Sequence, residues 1–489
     1  MGKWLLAIAA ALAAAALILF GILAVRAVLC KAKARQLTDK SLHFSQKQKD
    51  LYCSGLSQMI RCATVSRKDS YDDTEFAKLR RVIEELFPLV TSEGQLKVFG
   101  EDCWVYKISG KDKDRNVMLM SHHDVAPVEG EWRYPPFSGE AAEGCIWGRG
   151  TVDTKTPLFA EFSALEELLR EGFEPVCNVY LASSHNEETG GDGIPLALAY
   201  LREKKIAFDW ILDEGGAVIE APMSGIGCKC AMLAVHEKGR HTWKLTAHKE
   251  EGHAGLSART DTPEVRMAAF ITRIQKDQPF IRRMYPQLKA MFEGLAPYMS
   301  FPMRLVFSNM WLFSGLLKRL IPRMNAQAGA MLGTSCTFRS LCSRENGDCC
   351  AEAFLRCVDH GDLMQDMEKM QKIAAEYGIE MEEAPEGNEY HRPASLTSAG
   401  YSYIRSCVEK MFGYAACAPF ILPAGTDARH FCEICDSVIR FAPIDINNQQ
   451  YGSVHNVNEN IDADAVVQAV VFYKELIRGM IETSATEEA

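Results

Sequence analysis

Five residues of the kinds that bind zinc follow directly on, or close behind, short apolar runs. They are spread over more than three hundred positions and are His122, Asp153, Glu188, Glu214 and His455. Two imidazoles and three carboxylates nearly complete the ligand set of two zinc ions. If one carboxylate bridges the ions, each ion gets three protein ligands and keeps a face open for water. Three carboxylates and one hydroxide also balance two divalent cations, which makes burial of the cluster tolerable.

Asp153 and Asp124 have residue types that suit particular roles in such a cluster. The side chain of Asp153 is short and stiff, so it is the natural bridge between two ions, although alone it could be the N-cap of the helix that follows. In extended backbone, Asp124 lies on the same side as His122 and can accept its second ring N–H, which fixes the tautomer. A single histidine triplet of this kind is more often surface polarity or a satisfied core histidine. Here the other candidate ligands occur in matching contexts, which favours a metal site.

The adjacent pair Glu187 and Glu188 also suggests chemistry, because it follows an apolar run and precedes a Thr-Gly-Gly turn. If Glu188 binds a metal, Glu187 points elsewhere and is free to act as a general base. It would take a proton from metal-activated water and pass it to the leaving amine. Zinc already lowers the pKa of such a water toward ~7, so a carboxylate is a sufficient base.

Length, charge and cysteine content set broad limits on this protein. A chain of 489 residues predicts two or three domains with an ample core. The formal net charge of -10 argues against nucleic acid as a partner. The 17 cysteines have no framework spacing and are typical of reduced thiols in a cytosolic environment.

The uncharged run Trp4–Val25 predicts one transmembrane helix, because twenty-two residues at ~1.5 Å each are long enough to cross a bilayer. A cleavable signal peptide is the main alternative, but its apolar core is usually only ~7–15 residues and no good cleavage site follows. Lys3 precedes the run, whereas four basic residues follow it: Arg26, Lys31, Lys33 and Arg35. The positive-inside rule then favours a cytoplasmic catalytic body.

Strand-like apolar runs alternate with helical stretches after the anchor, which predicts an α/β layered domain with a largely parallel core. Near His241 the pattern changes, and a domain of about 150 residues is expected to be inserted into the α/β domain. The segment Met284–Met324 is rich in Met, Leu, Phe and Trp, and predicts short helices broken by turns. It is interpreted as internal core, as a wall for an acyl chain, or as a surface that lies on the membrane.

The order of motifs along the chain resembles one family, the co-catalytic zinc metallopeptidases numbered family twenty. That family includes aminoacylase, carboxypeptidase S, the N-acyl-amino-acid synthase/hydrolases and relatives such as succinyl-diaminopimelate desuccinylase. The matching stretches run in family order: SHHDVAPVEGEW, PPFSGE, GRGTVDTK, NEETGG, LDEGG, EEGHAG, GTDARHF and VHNVNE. The LDEGG form and the long apolar insert are most similar to the carboxypeptidase S and N-acyl-amino-acid hydrolase branch.

The resemblance implies a fold, with boundaries that the residue pattern suggests. It is a zinc-peptidase-type α/β/α catalytic domain with an inserted α+β two-layer sandwich, which is a lid and a possible dimerisation domain. The expected divisions are 1–35 for the anchor and its basic flank, 36–238 and 387–489 for the catalytic domain, and 239–386 for the insert.

The resemblance also implies roles for the candidate residues. Asp153 bridges the metals, His122 and Glu214 complete one site, and Glu188 and His455 complete the other. Asp124 orients His122, and Glu187 is the base.

Three further residues come from the same resemblance. His253, in the EEGHAG stretch, would stabilise the tetrahedral oxyanion, and in dimeric members this histidine comes from the partner subunit. Arg429 would grip the substrate carboxylate. The lid departs from the usual Asn-Val-Ile-Pro-like stretch and has RENGDCC at residues 344–350, in which Asn346 is the candidate for the same role.

These observations predict a membrane-anchored dizinc hydrolase that cleaves N-acyl amino acids or short peptides with a free carboxylate. Cobalt or manganese are possible substitutes for zinc, because imidazole and carboxylate accept several divalent ions. The runner-up is a dipeptidase or carboxypeptidase on short peptides. A non-catalytic zinc-binding scaffold at the membrane is the alternative of another class, but such a protein is expected to have lost its base or a ligand.

Overall fold

The computed structural model describes residues 2–39, 44–68, 70–249, 262–385 and 388–487, with side chains described from residue 4 to residue 480. The helices in this part of the chain are α1 (Gly2–Ala32), α2 (Gln46–Ile60), α3 (Asp73–Leu86), α4 (Pro88–Glu93), α5 (Lys155–Arg170), α6 (Gly193–Glu203), α7 (Pro263–Asp277), α8 (Pro286–Leu295), α9 (Phe301–Phe307), α10 (Met310–Met324), α11 (Ala326–Ala330), α12 (His360–Glu376), α13 (Ala399–Met411), α14 (Asn448–Ser453) and α15 (Ala463–Glu487).

The strands are β1 (Gln95–Phe99), β2 (Cys103–Ile108), β3 (Asp112–Met120), β4 (Glu140–Ala142), β5 (Cys145–Trp147), β6 (Cys177–Ser183), β7 (Trp210–Asp213), β8 (Val218–Ile219), β9 (Cys230–Glu237), β10 (Gly239–Ala247), β11 (Ser335–Ser343), β12 (Cys349–Cys357), β13 (Ile379–Glu383), β14 (Ala416–Leu422), β15 (Val438–Arg440) and β16 (Asn460–Asp462). All 17 cysteines have free thiols in this structure.

The largest sheet is mixed and has the order β1-β2-β6-β3-β7-β15-β9-β14, with β8 beside β9. Strands β6, β3, β7 and β15 pair in parallel, as do β9 and β14, whereas β1, β2 and β8 pair antiparallel with their neighbours. The predicted α/β class and the parallel centre are therefore confirmed, and the antiparallel strands were not predicted. Strands β1 and β2 are joined by a short hairpin, which suffices to add an antiparallel strand at the edge, whereas each parallel strand needs a crossover.

Helices cover both faces of this sheet. Val117 and Leu119 of β3 pack into one core cluster with α2, α5 and α15, while Met118 and Met120 pack into another with α6. The alternation follows from the two-residue period of a strand. Every residue of β6 is buried, as expected for a central strand covered on both sides.

The inserted region contains two structurally different parts. One is a four-stranded antiparallel sheet of order β11-β12-β10-β13, against which α7 and α12 bury Phe270 and Met367. The other comprises α8, α9 and α10, the short helices predicted from the apolar segment. Leu288 and Phe292 of α8 share a core cluster with Ala416 and Ala418 of β14. These helices therefore cover the end of the large sheet, which gives their apolar residues a core of their own.

Helix α1 includes the whole predicted transmembrane run. Within Trp4–Ala32, an 18-residue window has a mean hydropathy of 2.8 and is almost entirely exposed. By length and composition it is able to cross a membrane or to serve as a signal sequence.

Candidate active site

The centre of the sheet brings together polar residues from separate parts of the chain. His122 follows β3, Glu187 and Glu188 follow β6, and Glu214 follows β7. Strands β6, β3 and β7 are neighbours and run in parallel, so their carboxyl ends meet at one edge. Such an edge is the usual place for a site in a parallel α/β sheet.

Asp153 lies between two histidines. One carboxylate oxygen is 3.0 Å from Nε2 of His122, and the other is 3.0 Å from Nε2 of His455. Burial opposes ionisation of Asp153, but the two imidazoles hold its pKa below the usual value. The three residues therefore form a continuous imidazole–carboxylate–imidazole array, in which the carboxylate has one oxygen available to each side.

Asp124 organises the turn beneath His122. Its Oδ1 is 3.2 Å from Nδ1 of His122, and its two oxygens accept hydrogen bonds from the backbone amides of Glu187 and Glu188, at 3.2 and 3.1 Å. Asp124 is fully buried. The carboxylate thus joins the loop after β3 to the loop after β6. Together with the backbone carbonyl of Asp124, which is 3.0 Å from Nδ1, it holds the His122 ring with Nε2 toward Asp153.

Glu188 completes the side of the cluster that contains His455. Its Oε2 is 2.9 Å from Nε2 of His455, while its Oε1 accepts a hydrogen bond from the amide of Ala126 at 3.0 Å. These contacts, with that of Asp153 first, raise the pKa of His455 to about 10. Ligand-type atoms of His122, Asp153 and Glu188 lie within 4.8 Å of one another, close enough to bind a metal ion.

Glu187 and Glu214 line one small cavity with His122. Burial raises the pKa of Glu214 well above its usual range, and the nearby Asp153 raises it further. Burial likewise raises the pKa of Glu187, while His122 acts in the opposite direction. Two carboxyl groups that resist ionisation in a shared cavity indicate a place where a cation would be favourable.

Arg429 lies beside this cavity in a short 3-10 turn after β14, Asp427–Phe431. Its Nη1 donates a hydrogen bond to the carbonyl of Thr426 at 2.6 Å, and its Nε donates to Glu389 at 3.1 Å. The same Nη1 is 3.9 Å from Oε1 of Glu187. The guanidinium is therefore fixed in orientation next to the predicted base.

Arg149 and Glu459 support Asp153, and sequence reasoning assigned no role to either. Glu459 is fully buried, accepts from the amides of Val152 and Asp153 at 2.8 and 3.2 Å, and pairs with Arg149 at 2.7 Å. Strands β5 and β16 pair next to these residues and bring them together. The signal was present in the sequence, because Arg149 and Glu459 lie in the GRGTVDTK and VHNVNE motifs.

Of the remaining predicted residues, Asn346 is not part of this array. His253 lies outside the described residues. Asn346 lies between β11 and β12, where its amide donates to Asp348 at 2.9 Å and its carbonyl accepts from the Asp348 amide at 3.1 Å. Its side chain stabilises a hairpin turn, and a contact with substrate stays a prediction.

The array is chemically suited to divalent metal ions. Two ligand atoms at ~2.0–2.1 Å from one tetrahedral ion are roughly 3.3 Å apart, so imidazole–carboxylate distances of 2.9 to 3.0 Å need only a small expansion. Without a metal, protons on the histidines would supply the positive charge between these atoms. Metal binding would replace those protons.

The model of peptidase family M20/M25/M40 matches residues 118–479 of this chain. The chain therefore belongs to that family and is an enzyme of the metallopeptidase and amidohydrolase type. The match includes all five candidate metal ligands and the inserted region.

Similar proteins include the N-fatty-acyl-amino acid synthase/hydrolase PM20D1 of Xenopus tropicalis, which is 27% identical over 89% of this chain and 86% of its own length. A carboxypeptidase S-like protein of Dictyostelium discoideum is 27% identical over 86% of this chain and 82% of its own. Among solved structures, the M20 metallo-carboxypeptidase Sso-CP2 of Sulfolobus solfataricus is similar with a TM-score of 0.62 and 18% identity. It covers 87% of this chain and 98% of its own, and this likeness concerns the fold.

Proposed function

We propose that this enzyme hydrolyses the amide bond between an acyl or peptidyl group and an amino acid that has a free carboxylate. The observation that supports it most is the array in which His122 and His455 each contact a different oxygen of Asp153, with Glu187 and Arg429 beside it. The array combines metal ligands, a candidate base and a cation for substrate recognition in one place.

Two divalent cations are proposed as cofactors, with zinc preferred and cobalt or manganese as substitutes. His122, Asp153 and Glu214 would hold one, and His455, Asp153 and Glu188 would hold the other. When bound, the ions supply Lewis acidity that polarises a carbonyl and makes a water more acidic.

Glu187 is proposed to be the general base. Its backbone amide is held by Asp124, while its side chain lines the cavity instead of joining the contacts around Asp153. It would accept a proton from the attacking water and return it to the leaving amine. His253 of the inserted region is proposed to stabilise the oxyanion. This histidine would come either from the same subunit or from a partner subunit.

Arg429 is proposed to bind the substrate carboxylate. A guanidinium presents a planar set of donors that suits a carboxylate, and Glu389 and the Thr426 carbonyl orient it. Its place next to Glu187 would put the amide bond nearest the substrate carboxylate close to the base. Asn346 stays a second, less supported candidate.

The substrate class is proposed to be N-acyl amino acids, with short peptides as the second candidate. The similarity to an N-fatty-acyl-amino acid synthase/hydrolase over most of both chains favours acyl groups. The similarity to a carboxypeptidase S-like protein favours peptides. In either case activity requires a free carboxylate on the released amino acid.

Helix α1 is proposed to be a retained membrane anchor with the catalytic body in the cytoplasm. Its exposed apolar surface favours a place in a bilayer, and the basic residues that follow it support the orientation. The inserted region is proposed to act as a lid, within residues 239–386, and homodimers through it are a further expectation.

Glu187→Gln provides the decisive test. Full-length protein loaded with zinc is assayed on N-acyl amino acids of increasing chain length and on dipeptides, and zinc content is measured in parallel. The variant should lose ~10²–10⁴-fold in kcat with unchanged zinc, because the base is lost and the ligands remain. Glu203→Gln, at the exposed end of α6, is the matched control and should have normal activity.

Equal rates in the wild type and Glu187→Gln would refute the mechanism. Tight zinc binding without hydrolysis of any amide would instead favour a non-catalytic metal-binding scaffold. Activity that falls as the acyl chain lengthens would favour the peptidase alternative.

A further inference from the structure

Helix α1 packs on the rest of the protein only near its carboxyl end. The side chains of residues 4–22 are all exposed, whereas Leu23 and Ala27 are buried. Nineteen residues at ~1.5 Å each extend about 28 Å, close to the ~30 Å of a bilayer hydrocarbon core. The protein body thus begins where a bilayer around α1 would end.

Helix α10 begins beside the part of α1 that packs on the protein body. Asn309, directly before it, is fully buried and donates a hydrogen bond to the carbonyl of Leu23 at 3.1 Å. Arg26 donates to the carbonyl of Ser308 at 3.4 Å. These contacts place the first turn of α10 at the end of the apolar run of α1, which is the depth of the lipid headgroups.

Helix α10 exposes apolar residues on one face while other apolar residues hold it to the protein. Leu312, Leu316 and Leu320 recur every four residues and lie on one face, with 42, 52 and 36% exposure. Leu317 and Ile321, about 100–140° further round the helix from Leu316, are buried. Trp311 and Met324 at the two ends are 60 and 58% exposed. An exposed leucine stripe with an exposed tryptophan at one end of the helix is typical of a helix that lies in a membrane interface.

A cleft of about 1010 Å³ lies between the carboxyl end of α1 and helices α8, α9 and α10. Its lining includes the cations Arg26, Lys33 and Arg35. Two other lining cations are paired with carboxylates, Lys289 with Glu293 and Arg405 with Glu409. Within the described part of the chain, no carboxylate forms an ion pair with Arg26, Lys33 or Arg35. This leaves positive charge beside an apolar stripe.

We propose that these two features form a second membrane contact, here named the anchor-side face. It consists of the exposed stripe Leu312, Leu316, Leu320 and Met324, the exposed Trp311 at the start of α10, and the cations Arg26, Lys33 and Arg35. The stripe inserts among lipids of the bilayer that α1 crosses, and the cations bind anionic phospholipid headgroups. This inference rests on α1 being the retained anchor.

The proposal explains why a helix with so much exposed apolar surface lies next to the anchor. Apolar side chains in water are unfavourable, and large exposed patches mark interaction sites. Juxtamembrane cations attract anionic lipid, and the attraction weakens beyond a Debye length from the surface. The result is a catalytic body held in a fixed orientation on the membrane, where amphiphilic substrates would concentrate.

The test uses full-length protein with an environment-sensitive fluorophore on a single introduced cysteine. The Cys342→Ser background removes the exposed native thiol, and the labelled parent is subtracted. The test site is Leu316→Cys. Leu196→Cys on α6, 43% exposed, is the control on the body, and Leu12→Cys is the control within α1. Each protein is placed in phosphatidylcholine vesicles with or without phosphatidylserine, and quenching by spin-labelled lipids is measured.

The label at position 316 should be quenched roughly two-fold or more beyond that at 196, as for a side chain inserted at the interface. Quenching at 316 should also increase with phosphatidylserine and decrease with added salt. Quenching at 12 but not at 316 would overturn the proposal while supporting the anchor. If the emission of the label at 316 shows an apolar environment but spin-labelled lipid does not quench it, the stripe contacts a second protein copy. That result would also overturn the proposal. Quenching at neither site would refute the anchor and this inference together.

Discussion

The two sides of Asp153 have the same imidazole–carboxylate contact in very different surroundings. The side chain of His122 is 2% exposed, follows a central strand and is held by Asp124. That of His455 is 54% exposed and lies in a loop after α14, with a positive φ of 57°. Such a φ is uncommon outside glycine and disfavours the ordered loop. The inner side is therefore preorganised by the sheet, whereas the outer side depends on a loop that its contacts must hold.

Asp124→Ala should have the largest effect. Loss of its carboxylate weakens the hold on the His122 ring, which keeps the backbone carbonyl of residue 124 at 3.0 Å, and releases both amides of the Glu187–Glu188 turn. Metal affinity or activity should fall by up to ~100-fold, as for other partners that orient a ligand. Isothermal titration with zinc and steady-state kinetics measure this. Asp209→Ala, an exposed residue that pairs with Arg115, is the control, and an Asp124→Ala enzyme with wild-type affinity would contradict the preorganised inner side.

Glu459→Gln tests the support of Asp153 through protein stability. It removes one partner of a fully buried ion pair with Arg149, which typically costs ~3–5 kcal/mol of the free energy of unfolding. Glu143→Gln breaks an exposed pair with Arg133 and should cost at most ~1 kcal/mol. Chemical denaturation monitored by circular dichroism compares them, and equal losses would show that burial of the Glu459 pair does not matter.

Chelation should remove metal from the outer side first. If each side binds one ion, as proposed, the ion on the more exposed His455 side should leave at a lower chelator concentration than the ion beside His122. The metal content of the wild type should fall in two steps as chelator is added. At the chelator concentration of the first step, the His455→Ala protein should still hold about one of the two ions. Single-step loss in the wild type would argue against different sides.

His455→Ala should have the smallest effect, on the stability of the metal-free protein. An exposed side chain contributes at most ~1 kcal/mol through its ion pairs. Truncation of the buried His122 removes one partner each from Asp124 and Asp153 and should cost more, about 1–3 kcal/mol. Thermal unfolding in the presence of chelator measures both. A larger loss for His455→Ala than for His122→Ala would reverse the comparison.

Much of the candidate site could be predicted from local signals. His122, Glu188 and Glu214 follow apolar runs that form parallel strands, and parallel strands share an edge. The network around Asp153 was harder to predict. Glu459 and Arg149 are 310 positions apart, and their pairing depends on β5 meeting β16. No periodicity within either segment contains that information.

The inserted region likewise has features that local sequence predicts and features that it does not. The short helices of the apolar segment followed from their composition and prolines, but the partner of α8 did not, because many buried surfaces accept Leu and Phe equally well. Helix α8 packs against β14 because of the course that the chain takes between the two sheets.

The sequence by itself determined the family and the α/β class and supplied the candidate metal ligands, since these depend on residue types, their order and local periodicity. Only the tertiary structure decided that His122 is enclosed and His455 is open, that Glu459 supports Asp153, and that α10 begins beside the end of α1. Those features depend on contacts between residues far apart in the chain, and such contacts are selected by burial and charge pairing in the folded protein.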